Sequence, residues 1–143
     1  ILTHTNYGNQ ALEQALLFEK LGANLNHVVL SHVDRAKDIG YNKAVLDTGV
    51  NVEYDSAFRW KEADTNWTFQ LLEELLPLYP DQITLGMDMA KNSYWKSYGG
   101  KPGLNYLIEK IPEFLKSRGL ELYYKNLFFE NPKNLFTFIT DNV

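Results

Sequence analysis

Short apolar runs alternate with longer stretches of helical spacing along the chain. Ile1 to Thr5 reads as a strand, and Asn6 to Asn9 as a loop. Gln10 to Leu21 places Leu12, Ala15, Leu16 and Leu21 at helical intervals, with Gly22 where a helix end favours glycine. His27 to His32 is a second apolar strand, followed by a polar loop from Val33 to Asp38. Ile39 to Thr48 predicts a short helix closed by Gly49, and Val50 to Asp55 a third strand. A loop from Ser56 to Asp64 leads to a leucine-rich helix over Thr65 to Tyr79, stopped by Pro80. Ile83 to Ala90 predicts a fourth strand that ends on the carboxylate of Asp88, with a long loop from Met89 to Gly103. Leu104 to Arg118 has helical spacing interrupted at Pro112. The aromatic tail from Leu120 reads as helical, with Asn131 and Pro132 as N-cap and first residue of a last short helix.

Strand and helix alternate four times, which is the signature of parallel βα units. Parallel strands are covered on both faces, which accounts for their nearly unbroken apolar character. No glycine-rich phosphate loop follows any strand, which argues against a dinucleotide-binding sheet. Four βα units are half of an eight-stranded TIM barrel. The predicted class is therefore α/β, as one barrel domain over residues 1–143. The chain begins without Met, inside a strand, so it is expected to be the C-terminal part of a longer protein whose N-terminal half lies outside it.

With 143 residues, 45% hydrophobic and 22% charged, the chain can build one globular core. A net charge of −4 disfavours a nucleic-acid partner. The absence of cysteine excludes disulfides, thiolate metal sites and a Cys nucleophile, and points to a reducing, cytoplasmic setting. No apolar run is long enough to span a membrane, and no signal peptide is visible. Asn66-Trp67-Thr68 matches a glycosylation acceptor, a triplet common by chance.

Chemistry in a βα barrel gathers at the C-terminal strand ends. Those ends carry His4, His32, Asp55 and Asp88. A charge at a dry strand end is costly unless it is paired, metal-bound or catalytic. Two imidazoles and a carboxylate on one face suit a zinc-like divalent ion. A structural, hydrogen-bonded histidine is the competing reading for either imidazole alone. Asp55 reads as an orienting residue, a substrate contact or a helix cap, and His27, at a strand start, as structural. The loop after Asp88 gathers Lys91, Tyr94, Trp95, Lys96, Tyr98 and Lys101, and the loop after Asp55 adds Arg59, Trp60 and Lys61. Cations over a metal mouth fit a small anionic substrate such as a phosphate ester; Lys96 and Lys101, taken individually, read better as solvated loop residues.

Thr3-His4-Thr5, Leu30-Ser31-His32-Val33-Asp34-Arg35, Gly86-Met87-Asp88-Met89 and Tyr98-Gly99-Gly100-Lys101-Pro102-Gly103-Leu104, in this order, resemble the C-terminal half of phosphotriesterase-like proteins of the amidohydrolase superfamily. The resemblance implies strands five to eight of a (β/α)8 barrel and a hydrolase using two divalent metal ions, with zinc expected and manganese or cobalt as alternatives. By position His4, His32 and Asp88 match metal ligands. The family's first-strand His-x-His pair and fourth-strand lysine are not in this sequence. The implied reaction is attack by a metal-bridging hydroxide, with Asp88 as proton shuttle. The last loop is similar to the branch acting on phosphorylated sugar lactones, which suggests Lys91, Tyr94 and Lys61 as phosphate contacts and Arg59 in reserve. An organophosphate triester or acyl-lactone hydrolase, and a barrel that has lost its chemistry, are the alternatives. The expected partners are the barrel's N-terminal half and the small substrate, with room for a homodimer.

Overall fold

A computed structural model describes residues 1–60 and 66–137. Four strands, β1 (Leu2–His4), β2 (Val29–Ser31), β3 (Asn51–Tyr54) and β4 (Ile83–Leu85), form one sheet in the order β1-β2-β3-β4. Every pairing is parallel, and His4, Ser31, Glu53 and Thr84 lie in register across it. Sequential neighbours joined by helical crossovers are the arrangement expected for half a (β/α)8 barrel. The helices are α1 (Ala11–Lys20), α2 (Ile39–Asp47), α3 (Trp67–Leu75), α4 (Tyr106–Arg118) and α5 (Asn131–Phe136). No helix among the described residues is long and apolar enough to cross a membrane.

The core lies between the sheet and these helices. Leu30, Val52, Tyr54 and Ile83 from the strands meet Ala15, Val45, Leu71, Leu75 and Leu115 from the helices, all essentially inaccessible to water. The Tyr54 hydroxyl is buried and donates to Asn42 Oδ1 (3.1 Å), so α2 is tied to β3 by a polar bond inside an apolar layer. On α1, Ala11 and Ala15 are buried whereas Leu16, Leu17 and Leu21 are exposed. Of the expected apolar face, Leu12 and Ala15 pack against the core, whereas Leu16 and Leu21 are open to water.

Several boundaries differ from the sequence expectation. Each strand is shorter than its apolar run. His27 ends a 3-10 turn (Leu25–His27) that precedes β2 and is exposed. Asp88 lies three residues beyond the end of β4, not on the strand. Helix α4 passes through Pro112 without a break. The proline removes one backbone donor, and Ile108, four residues earlier, is 64% exposed, so its freed carbonyl can be hydrated. Asn131 does not cap α5; its Nδ2 donates to the carbonyls of Pro80 and Ile83, pinning the tail to the turn before β4 and to the strand's first residue. Asn66 is buried, caps α3 through Phe69 N–H and donates to Ala57 O, which leaves no access for a glycan.

Candidate active site

The strand ends bring His4 and His32 together. His32 directly follows β2 and takes a left-handed backbone (φ 64°), opening a 3-10 turn over Val33–Arg35. Such a conformation is unusual for a non-glycine residue and is typical of functional turns. It swings the ring across to β1, where His32 Nε2 lies 2.9 Å from His4 Nδ1, with the rings edge to face. The other ring nitrogen of His32, Nδ1, contacts Asp55 Oδ2. A carboxylate there fixes the proton on Nδ1 and presents the Nε2 lone pair. Burial, followed by Arg35 and His4, lowers the His32 pKa, so the imidazole is held neutral, as a metal ligand must be. Two nitrogens of a tetrahedral site at usual Zn–N lengths stand about 3.3 Å apart. The observed pair needs only a few tenths of an ångström of opening to admit an ion.

Behind this pair lies a buried polar network. Ser56 Oγ donates to Asp55 Oδ1 (3.2 Å), and Ser56 N–H donates to Asp34 Oδ2 (2.8 Å). Thr68 on α3 donates its hydroxyl to the same Asp34 oxygen (2.5 Å) and accepts from Trp60 Nε1 (3.0 Å). Asp34 thereby joins the β2 turn, the β3 turn and the first turn of α3. Burial, reinforced by Asp55, pushes its pKa up to about 6. Burial, reinforced by Glu53, raises Asp55 to about 6. Glu53 is raised by burial and occupies the space that a side chain at Gly86 would take.

Asp88 is placed differently. Its backbone is also left-handed (φ 41°). Arg35 Nη2 (2.8 Å) and Arg59 Nη2 (2.6 Å) both donate to Asp88 Oδ2, and Arg59 Nη2 also reaches the Asp88 carbonyl (2.6 Å). Arg59 is braced by Tyr94, whose hydroxyl accepts from Nη1 (3.1 Å), and stacks over Phe58. Among the described residues, no three His, Asp or Glu side chains converge so as to hold a metal ion. Of the expected ligands, His4 and His32 contact each other, and Asp88 is bound by Arg35 and Arg59.

A cleft of about 630 Å³ opens beside Asp88, lined among others by Tyr7, Arg35, Lys37, Arg59, Lys91 and Tyr94. It collects four cations against one carboxylate. Lys91 and Tyr94 line this cleft, Arg59 is engaged by Asp88, and Lys61 lies outside the described residues. Lys96 and Lys101 are exposed. Asp34, Arg35 and Glu53 were given no role from sequence. Asp34 and Arg35 lie two and three residues after His32, and a charge so close to a strand end is the available signal.

The Phosphotriesterase family model matches residues 1–136. A "Phospho-furanose lactonase" from Mycoplasmopsis synoviae is 32% identical over 96% of this chain, which spans 41% of that relative. The crystal structure of a lactonase from Listeria monocytogenes matches 98% of the chain and 45% of its own length, with a TM-score of 0.89 and 31% identity. An organophosphorus hydrolase from Deinococcus radiodurans matches with a TM-score of 0.78 and 25% identity, over 96% of this chain and 45% of that structure. The chain thus spans less than half the length of each.

Proposed function

The chain belongs to the phosphotriesterase family, and from that premise we propose that it supplies strands five to eight of a metal-dependent hydrolase that opens a small phosphorylated sugar lactone. The observation that carries this reading is the His4–His32 pair, backed by Asp55 and set beside a cationic cleft. Its partner is the N-terminal half of the same barrel, which completes the ligand set.

Divalent metal ions, zinc first among the candidates, supply acidification of a coordinated water and polarisation of the ester carbonyl. His4 Nδ1 and His32 Nε2 are the nitrogens placed to hold one ion. Asp55 keeps His32 in the tautomer that this needs. Asp88 accepts the proton of the attacking water and returns it to the leaving oxygen. Lys91 and Tyr94, with Lys61 and Arg59, receive the phosphate through charge-assisted hydrogen bonds. The lactone named for the Mycoplasmopsis relative fits this cationic mouth better than a neutral triester does.

A second reading, a barrel without chemistry, draws on the diversion of Asp88 to two arginines. Metal analysis of the whole protein with a lactone panel separates the two. Bound metal together with turnover of phosphorylated lactones supports the first. A metal-free protein inert on every lactone supports the second.

A further inference from the structure

We propose that Tyr7 is a substrate-recognition residue: its ring is the wall of the cleft on which the sugar ring of a phosphorylated lactone packs. The inference rests on the reading of this cleft as the substrate mouth. Tyr7 stands three residues after His4, in a tight turn that a bond from Asn9 N–H to the Asn6 carbonyl closes at 3.0 Å. Its backbone is left-handed (φ 54°), a conformation that a ring-bearing residue rarely takes. Glycine or asparagine would fit such a turn with less strain, so a tyrosine held there points to a use for its side chain. The turn has a fixed base. The Thr5 hydroxyl is buried, donates to the Ser31 carbonyl (2.6 Å) and accepts from Gly8 N–H (3.1 Å). A side chain at Gly8 would come within 2.7 Å of Ala36 N and 2.8 Å of the Val33 carbonyl oxygen, so the turn lies directly against the one that follows His32. This base displays a tyrosine that is itself 66% exposed. Its ring lines the cleft and stands 5.6 Å from the Arg35 guanidinium.

Charge alone does not make this cleft selective. Cations bind a phosphate whatever it is attached to. The cleft, at about 630 Å³, has the size of a small-molecule site and far exceeds one phosphate group. Its lining comes from the loops after all four strands. In the sheet order β1-β2-β3-β4, Tyr7 belongs to the loop after β1, and Lys91 and Tyr94 to the loop after β4. A phosphate held by Lys91 and Tyr94 therefore leaves the remainder of its molecule room to extend towards Tyr7. A furanose ring carries C–H groups on its faces, and these pack against an aromatic ring while the hydroxyls stay in water. A phenol suits that contact, with an apolar body and a polar tip. Arg35 supports the tyrosine ring from one side and is itself anchored, its Nε donating to Ser56 Oγ (3.0 Å) and its Nη2 to Asp88 Oδ2 (2.8 Å). Tyr7 reads the sugar and the cations read the phosphate, so the two contacts together select a phosphorylated sugar over either part alone.

The test uses the whole protein and calorimetric titration with two phosphate monoesters that contain no lactone. Methyl phosphate has no sugar, and ribose 5-phosphate adds a furanose ring to the same charged group. The unaltered protein is expected to bind ribose 5-phosphate about tenfold more tightly than methyl phosphate, the scale of one aromatic contact. Tyr7→Phe keeps that preference. Tyr7→Asn, whose side chain tolerates the left-handed backbone, reduces it to less than about twofold, with methyl phosphate affinity and melting temperature nearly unchanged. A preference that survives Tyr7→Asn overturns the proposal. So does an equal loss for both ligands, which would mean that Tyr7 acts only through Arg35. Loss of the preference in Tyr7→Phe overturns it as well, because the hydroxyl and not the ring would then be the contact. Equal binding of the two monoesters by the unaltered protein removes the sugar contact and leaves the phosphate site intact. Binding of neither monoester removes the phosphate-site reading and the proposal with it.

Discussion

The site has two halves built on opposite principles. Around the ends of β2 and β3, His32, Asp34, Asp55 and Ser56 are buried, and each is bonded to at least one of the others or to α3. Around the cleft beyond the end of β4, Asp88, Arg35, Arg59 and Lys91 are wholly or partly open to water, and both arginines pair with Asp88. A buried network is costly to break because each orphaned group loses its desolvation compensation, whereas exposed charge pairs rearrange at little cost. The first half is suited to hold a metal ligand in one tautomer, and the second to respond to what enters the cleft.

Substitutions in the whole protein put that contrast to the test. Asp88→Asn is expected to have the largest effect on turnover, a loss of about 10² to 10⁴-fold in kcat with melting temperature nearly unchanged. Near-normal kcat would remove Asp88 as the shuttle. Asp55→Asn should weaken metal binding about 10 to 100-fold by releasing the His32 ring, a loss checked by metal titration. Unchanged affinity would show that the buried half does not orient the ligand.

The buried half should also carry a pH signature in the metal-free protein. Asp34 has a folded pKa of about 6, above its ordinary value of 3.8. The folded state therefore binds the extra proton, and stability from this group is present at low pH and lost as pH rises from 4 through 6. His32, lowered from 6.5, acts in the opposite sense: its stability contribution grows as pH rises through its ordinary value. Comparing unfolding of the parent with Asp34→Asn isolates the first effect. The parent should lose on the order of 2 kcal/mol relative to the variant between pH 4 and 6. Parallel stability curves would contradict a buried, proton-retaining Asp34.

The open half should show smaller, salt-sensitive effects. Lys91→Ala is expected to raise KM for phosphorylated lactones about tenfold and to leave neutral lactones nearly unchanged. Equal losses on both would remove Lys91 from the phosphate site. Raising salt from 0.01 to 0.15 M, which shortens the screening length from about 30 to about 8 Å, should weaken phosphorylated substrates several-fold while barely touching metal affinity.

Much of the architecture was legible in the pattern of residues. The apolar runs around Leu30, Val52 and Ile83, each separated by one helical stretch, predicted parallel βα units, and the sheet is ordered accordingly. Strand register likewise put His4 and His32 at neighbouring ends, where they meet. Pro112 was misleading because propensity reports one lost hydrogen bond, while packing of Ile111, Phe114 and Leu115 holds the helix through it. Asn131 was misleading because its amide has a stronger use inside the fold than at a helix end.

The residues by themselves determined the alternation of elements, the acidic and cysteine-free chemistry and the histidines and carboxylates at strand ends, since these follow from local periodicity and side-chain type. Only the tertiary structure decided which of those groups face one another. Arg35 reaches Asp88 across 53 positions in the chain, and Asp34 reaches Thr68 across 34. Such meetings depend on left-handed turns at His32 and Asp88 and on burial, quantities that no local pattern encodes because they are set by the packing of distant segments.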